Sequence, residues 1–173
     1  MQRYDILMQR YDNGELLYNL SICIISDNLD HDTNMVYQIK IKVIKIIKEE
    51  LPSIKMVEYF SDGCAAQYKN FKNILNSCCH KEDFQIDANW TLLATSYGKS
   101  PCDGIGGSVK RLTARASLQR PYSEQILTAS QMLLFCQKNI ANIRFLFISK
   151  EEIVDVREQL KIRFSSGTHL TRN

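Results

Sequence analysis

The chain has 173 residues, of which 45% are hydrophobic and 24% charged, and a formal net charge of +3. That composition excludes a disordered or low-complexity protein and supplies enough apolar material for the core of one domain or part of one. The longest apolar stretches, such as YNLSICII (18–25), are about one strand long, which excludes a helical membrane span.

The chain opens on two strand-like runs, 4–11 (YDILMQRY) and 16–26 (LLYNLSICIIS), separated by Asp12, Asn13 and Gly14. An Asn-Gly pair tolerates the positive φ angles of a tight turn, so this segment predicts a β-hairpin. Alternation in the second run puts Leu20, Ile22 and Ile24 on one face and Ser21, Cys23 and Ile25 on the other. A polar turn from Asp27 to Asp32 follows, where Asp30, Asp32 or Thr33 can cap a helix running to about Leu51. Val36, Ile39, Val43 and Ile46 or Ile47 recur at helical spacing along it, and Lys40, Lys42, Lys45 and Lys48 read as a solvated face.

Pro52 ends that helix, and 54–60 (IKMVEYF) predicts the next strand, so residues 20–60 read as strand, helix, strand with a right-handed crossover. Asp62 then stands at the carboxyl end of a strand, where open α/β sheets place their ligands. The run CAAQYKNFKNILNSCCH (64–80) predicts a helix carrying Lys69 and Lys72, and NWTLLATS (89–96) a further strand. Gly98 to Gly107 reads as a glycine-rich connection holding Asp103, followed by a basic helix from Ser108 to about Gln119 that Pro121 closes. A helix from Ala129 to Asn139 has Thr128 and Gln131 placed as a capping box. The run IRFLFIS (143–149) predicts a last strand, and Ser149 with Glu152 suits a second capping box opening a charged helix to about Lys161. This pattern divides the chain into an α/β domain over 1–150 and a helix with a frayed tail over 151–173.

Charge is uneven along the chain. Lys99, Lys110, Arg111, Arg115 and Arg120 against Asp103 give residues 99–120 a net +4, which leaves the remainder close to neutral. The six cysteines occur without a secretory signal, so a reducing intracellular location, nuclear or cytoplasmic, is expected, with the thiols mostly buried and free. Cys64, Cys78, Cys79, His80 and Cys102 lack the spacing of a zinc site, and ordinary buried thiols are the default. GKS at 98–100 resembles part of a phosphate loop, but Leu93 stands where that motif needs its first glycine. Asp103 reads equally as a helix cap and as a metal ligand. Paired with Asp62 forty residues earlier, beside a positive helix, it points to metal-assisted chemistry on phosphodiesters.

The strings SDNLDHDT (26–33), YFSDGCAAQYKN (59–70), HKEDF (80–84), ATSYGKSPCDGIGGSVKRL (94–112) and ARASLQRPY (114–122) resemble transposase-derived proteins of the DDE, ribonuclease H-like class. The resemblance implies a five-stranded mixed sheet flanked by helices, in which the hairpin supplies strands two and three, IKMVEYF strand four and NWTLLATS strand five. It implies Mg²⁺- or Mn²⁺-dependent DNA cleavage and strand transfer, with Asp62 as the second catalytic acid and Asp103 as the third. Glu124 is the other candidate for the third acid. Lys69, Lys99, Lys110, Arg111 and Arg115 are then expected along the DNA backbone, and a homo-oligomer is an expected assembly.

The departure from the family is at the start. Nothing before Tyr4 can form a first strand carrying the first acid, and Asp27 ends strand three, two strand spacings of about 4.8 Å each away. The expectation is a truncated or decayed domain that lacks its first strand and has little or no nuclease activity. The alternative is a non-catalytic DNA-binding or interaction protein domesticated from a transposase.

Overall fold

The structure, a computed structural model, describes residues 1–93 and 101–167. The chain is α/β, with small sheets and six α-helices among the described residues, and it divides into two compact units. The first comprises Met1–Leu29 and Gly98–Lys150, the second Asp30–Tyr97 and Glu151–Asn173. Among the described residues no helix is long and apolar enough to cross a membrane.

The first unit is built on a three-stranded mixed sheet. Strands β1 (Gln2–Asp12) and β2 (Glu15–Ser26) form the antiparallel hairpin that the Asn-Gly turn predicts, with Asn13 at φ 50° and Gly14 at φ 85°. The pairing shifts register between Arg10 and Tyr11. The central strand β2 also pairs in parallel with β5 (Ile143–Ile148), Cys23 lying opposite Phe145 and Ser26 opposite Ile148. Burial follows from this position: Ile22, Cys23, Ile24 and Ile25 are all fully buried, so both faces of β2 are covered.

One face of that sheet packs against α4 (Pro101–Leu118) and α5 (Ala129–Asn139) around Cys23, Ile25, Val109, Met132, Cys136 and Phe145. Burying each of the larger members contributes about 1.5–3 kcal/mol. Helix α5 begins at the predicted capping box: Thr128 Oγ1 accepts from Gln131 N at 3.2 Å and Gln131 Oε1 accepts from Thr128 N at 3.0 Å. Helix α4 departs from expectation. It begins at Pro101, not Ser108, so Gly104, Gly106 and Gly107 are helical rather than a connection. The reason is packing against β1. A Cβ on Gly106 would lie 2.2 Å from Asp5 Oδ2 and 2.6 Å from an Arg3 guanidinium nitrogen, so only glycine lets the helix approach the Arg3–Asp5 pair.

The second unit holds α1 (Thr33–Glu50), capped by Asp32, whose Oδ1 accepts from Met35 N at 3.0 Å. Strands β3 (Met56–Ser61) and β4 (Asp87–Leu92) pair in parallel, with Tyr59 opposite Trp90. They form a separate two-stranded sheet, so the expected crossover joining the hairpin to β3 in one sheet is not what forms. The expected helix over 64–80 is also replaced. Residues 65–68 make a turn, Asn70 Oδ1 accepts from Asn73 N at 2.9 Å, and that cap starts a shorter α2 (Phe71–Cys78), followed by α3 (His80–Phe84). Asn70 is fixed as a cap from two sides, its Oδ1 also accepting from Thr33 Oγ1 at 3.1 Å and its Nδ2 donating to the Ala65 carbonyl at 2.9 Å.

Helix α6 (Lys150–Gly167) begins directly after Ser149, as the second capping signal predicts, and runs past the predicted end at Lys161. Ile153, Val156 and Leu160 are buried at helical spacing along it. Arg157 pairs with Asp30 at 2.9 Å and Asp32 at 3.6 Å, while Glu152 accepts from Gln38 Nε2 at 3.0 Å and pairs with Lys42.

Candidate functional site

Asp62 follows directly on β3 and is exposed. The loop around it is built locally. Trp90 Nε1 donates to Ser61 Oγ at 2.8 Å, Ser61 Oγ donates to the Asp62 carbonyl at 3.2 Å, and Asp62 Oδ1 accepts from Cys64 N at 3.0 Å. Asp62 thus closes a turn with its own side chain. Asp103 is exposed in the first turn of α4, where a carboxylate complements the helix dipole. The two acids belong to different units, Asp62 to the second and Asp103 to the first. Glu124 lies in a short 3-10 turn, Tyr122–Glu124, and its carbonyl accepts from Arg120. Among the described residues no group of three or more His, Cys, Asp or Glu is arranged to hold a metal ion.

The expected basic residues likewise belong to both units. Lys110, Arg111 and Arg115 are brought together on the exposed side of α4, with Arg111 and Arg115 one turn apart and Val109 and Thr113 buried on the opposite side. Arg111 also donates to Ser108 Oγ at 3.3 Å. Lys69 is exposed in the 65–70 turn of the second unit, and Lys99 lies outside the described residues. Lys110, Arg111 and Arg115 therefore share one exposed helical face.

The cysteines are free, but only Cys23 and Cys136 are buried; Cys64 and Cys78 are exposed. Desolvation is the main cause that pushes the Cys23 thiol far up and raises Cys136 as well, which disfavours the thiolate at both. His80 is buried and its ring is fully engaged. Its Nδ1 donates to the Ile86 carbonyl at 2.8 Å, which leaves Nε2 to accept from the Tyr59 hydroxyl at 3.0 Å. Burial lowers the His80 pKa and raises that of Tyr59, so both stay neutral over the physiological range.

The residue that the sequence pattern missed is Lys40. Read as part of a solvated face, it is only 2% exposed, its Nζ has no hydrogen-bond partner, and desolvation lowers its pKa to about 8. The ammonium position lies 5.1 Å from the Trp90 ring centroid and 5.7 Å from that of Tyr37. Beside it the Tyr37 hydroxyl donates to Asp83 Oδ2 at 2.8 Å, and Arg163 grips both carboxylate oxygens of Asp83 at 2.6 and 2.9 Å. A signal was present: Lys40 falls in the stripe Val36, Tyr37, Val43, Ile44 and Ile47, at i+3 and i+4 spacing.

Against known proteins, no curated protein and no solved structure matches the chain. One family model matches residues 6–172, nearly the whole chain. The chain therefore belongs to that family, described as a domain of unknown function, DUF8701.

Proposed function

We propose that this chain binds the sugar-phosphate backbone of DNA through the exposed face of α4, and that it descends from the ribonuclease H-like catalytic domain of a DDE-type transposase. The observation that carries the binding reading is the cluster of Lys110, Arg111 and Arg115, which share one exposed helical surface with no acid among residues 104–123. Such a surface neutralises phosphates without reading bases. The descent rests on the sequence strings that resemble the family. The order of elements supports it: a hairpin, a long helix, then two parallel strands with a helical segment between them.

In this reading the chain holds DNA without cleaving it. Asp62 keeps its turn-forming role. The rival is the enzyme itself, in which Asp62 and Asp103 hold Mg²⁺ or Mn²⁺. Incubating the purified chain with supercoiled plasmid and Mg²⁺ separates the two. DNA retention with no nicking is expected; nicking that Asp62→Asn abolishes establishes the enzyme instead.

A further inference from the structure

The second unit contains a buried amine whose proton bears on a charged pair. We propose that Lys40, Asp83 and Arg163 form a proton-read latch, in which protonation of the Lys40 amine weakens the Asp83–Arg163 pair and loosens the C-terminal turns of α6. This inference is independent of the DNA-binding reading.

Asp83, on α3, is the carboxylate that faces this cluster, and both of its oxygens are already used. Tyr37 from α1 holds one, and Arg163 from α6 holds both while also donating to Asn76 Oδ1 at 3.0 Å. The Arg163 guanidinium lies 5.7 Å from the centroid of the Tyr37 ring, the same ring that Lys40 Nζ approaches at 5.7 Å. Lys40 thus feels two opposed charges, Asp83 favouring its ammonium form and Arg163 opposing it, and neither Asp83 oxygen is unshared. Uncharged, the amine rests between two aromatic rings and leaves the pair intact. Charged, it is repelled by Arg163 and drawn to Asp83, and the Asp83 carboxylate cannot serve both cations in full.

The other ionisable groups around the latch are each shifted away from pH 8. Burial lowers His80, so it is already neutral there. Tyr37 is pushed up to about 12, and Tyr59 and Cys79 are also raised, in each case mainly by burial. Arg163 is held cationic by Asp83. Lys40 is left as the member that changes charge near pH 8. Trp90 reports it directly, because it is the only tryptophan in the chain and lies 5.1 Å from the amine.

Two measurements on the full chain test the latch. First, Trp90 emission is titrated from pH 6.5 to 9.5, with a transition centred near pH 8 expected in the native chain and absent in Lys40→Met. Second, amide exchange in the last turns of α6, corrected for intrinsic rates, is followed over the same range. Protection rises with pH by up to about tenfold per unit, the limit for one linked proton. Lys40→Met removes the rise, Asp83→Asn lowers protection at every pH, and Lys45→Met, on the exposed side of α1, leaves the native profile unchanged. A native chain with flat Trp90 emission, or a rise in protection that persists in Lys40→Met, overturns the proposal.

Discussion

Tyr59 and His80 meet at 3.0 Å between Oη and Nε2, and the direction of that bond is fixed by the far side of the ring, where Nδ1 donates to the Ile86 carbonyl at 2.8 Å. The pair ties β3 to α3, and Tyr59 stacks on Trp90 with ring centroids 4.9 Å apart. Removing the hydroxyl leaves a buried acceptor without its donor. Tyr59→Phe is therefore expected to cost about 1–2 kcal/mol, read as a lower urea midpoint by Trp90 fluorescence.

Acid acts on the same pair. The folded chain holds His80 below its ordinary pKa near 6.5, so below that pH the unfolded chain takes up a proton that the folded chain refuses. Stability is full above pH 6.5 and is lost as pH falls through 6.5 towards the lower folded value. His80→Gln should flatten the part of the acid limb that His80 contributes, although it lowers stability at pH 7.5.

Lys40 sets the opposite limb. Its folded pKa of about 8 lies below the ordinary value of 10.5, so the buried amine imposes its full penalty below pH 8, and this penalty is relieved as pH rises to 10.5. The thiols of Cys23, Cys79 and Cys136 act in the other sense above pH 9 and the tyrosines above pH 10, where the unfolded chain ionises and the folded chain does not. The stability gap between Lys40→Met and the native chain therefore narrows between pH 8 and 10. Lys40→Met should stabilise the chain at pH 7 by about 2–3 kcal/mol and by less at pH 9.5; urea titrations of both chains at pH 7 and pH 9.5 measure the two gains.

The glycines of α4 give a prediction of two signs. Gly104 has open space around its Cβ position, so Gly104→Ala replaces a poor helix former and should stabilise by about 0.5–1 kcal/mol. Gly106→Ala forces Asp5 and Arg3 apart and should destabilise by about 1–3 kcal/mol. Thermal unfolding of the two variants beside the parent chain shows the contrast.

Those glycines also show where sequence reading stopped. Local chemistry was legible: the Asn13-Gly14 turn, the Thr128–Gln131 box and the Asp32 cap all lie within a few residues of what they control. What depends on distant partners was not. Three glycines in seven residues argue for a loop, and only the approach of Gly106 to β1, a hundred residues earlier, turns them helical. The parallel pairing of β2 with β5 and the separation of β3 and β4 into their own sheet are likewise non-local, and strand periodicity carries no record of which strands pair. At the site, the basic run on α4 was visible as composition. Lys40 was hidden because lysine is rarely buried, and its place in the apolar stripe was outweighed by its charge.

The central claim is that α4 holds the DNA backbone, and the salt dependence of duplex affinity tests it most directly. Each phosphate contact should contribute about −0.9 to the slope of log K against log salt. The native chain is predicted to bind unrelated duplexes alike, with a negative slope, and Lys110→Ala/Arg111→Ala/Arg115→Ala to lose affinity at low salt and flatten that slope by about two to three, while Asp62→Asn binds as the native chain does. Equal affinity and equal slope for the native chain and the α4 triple variant would contradict the account.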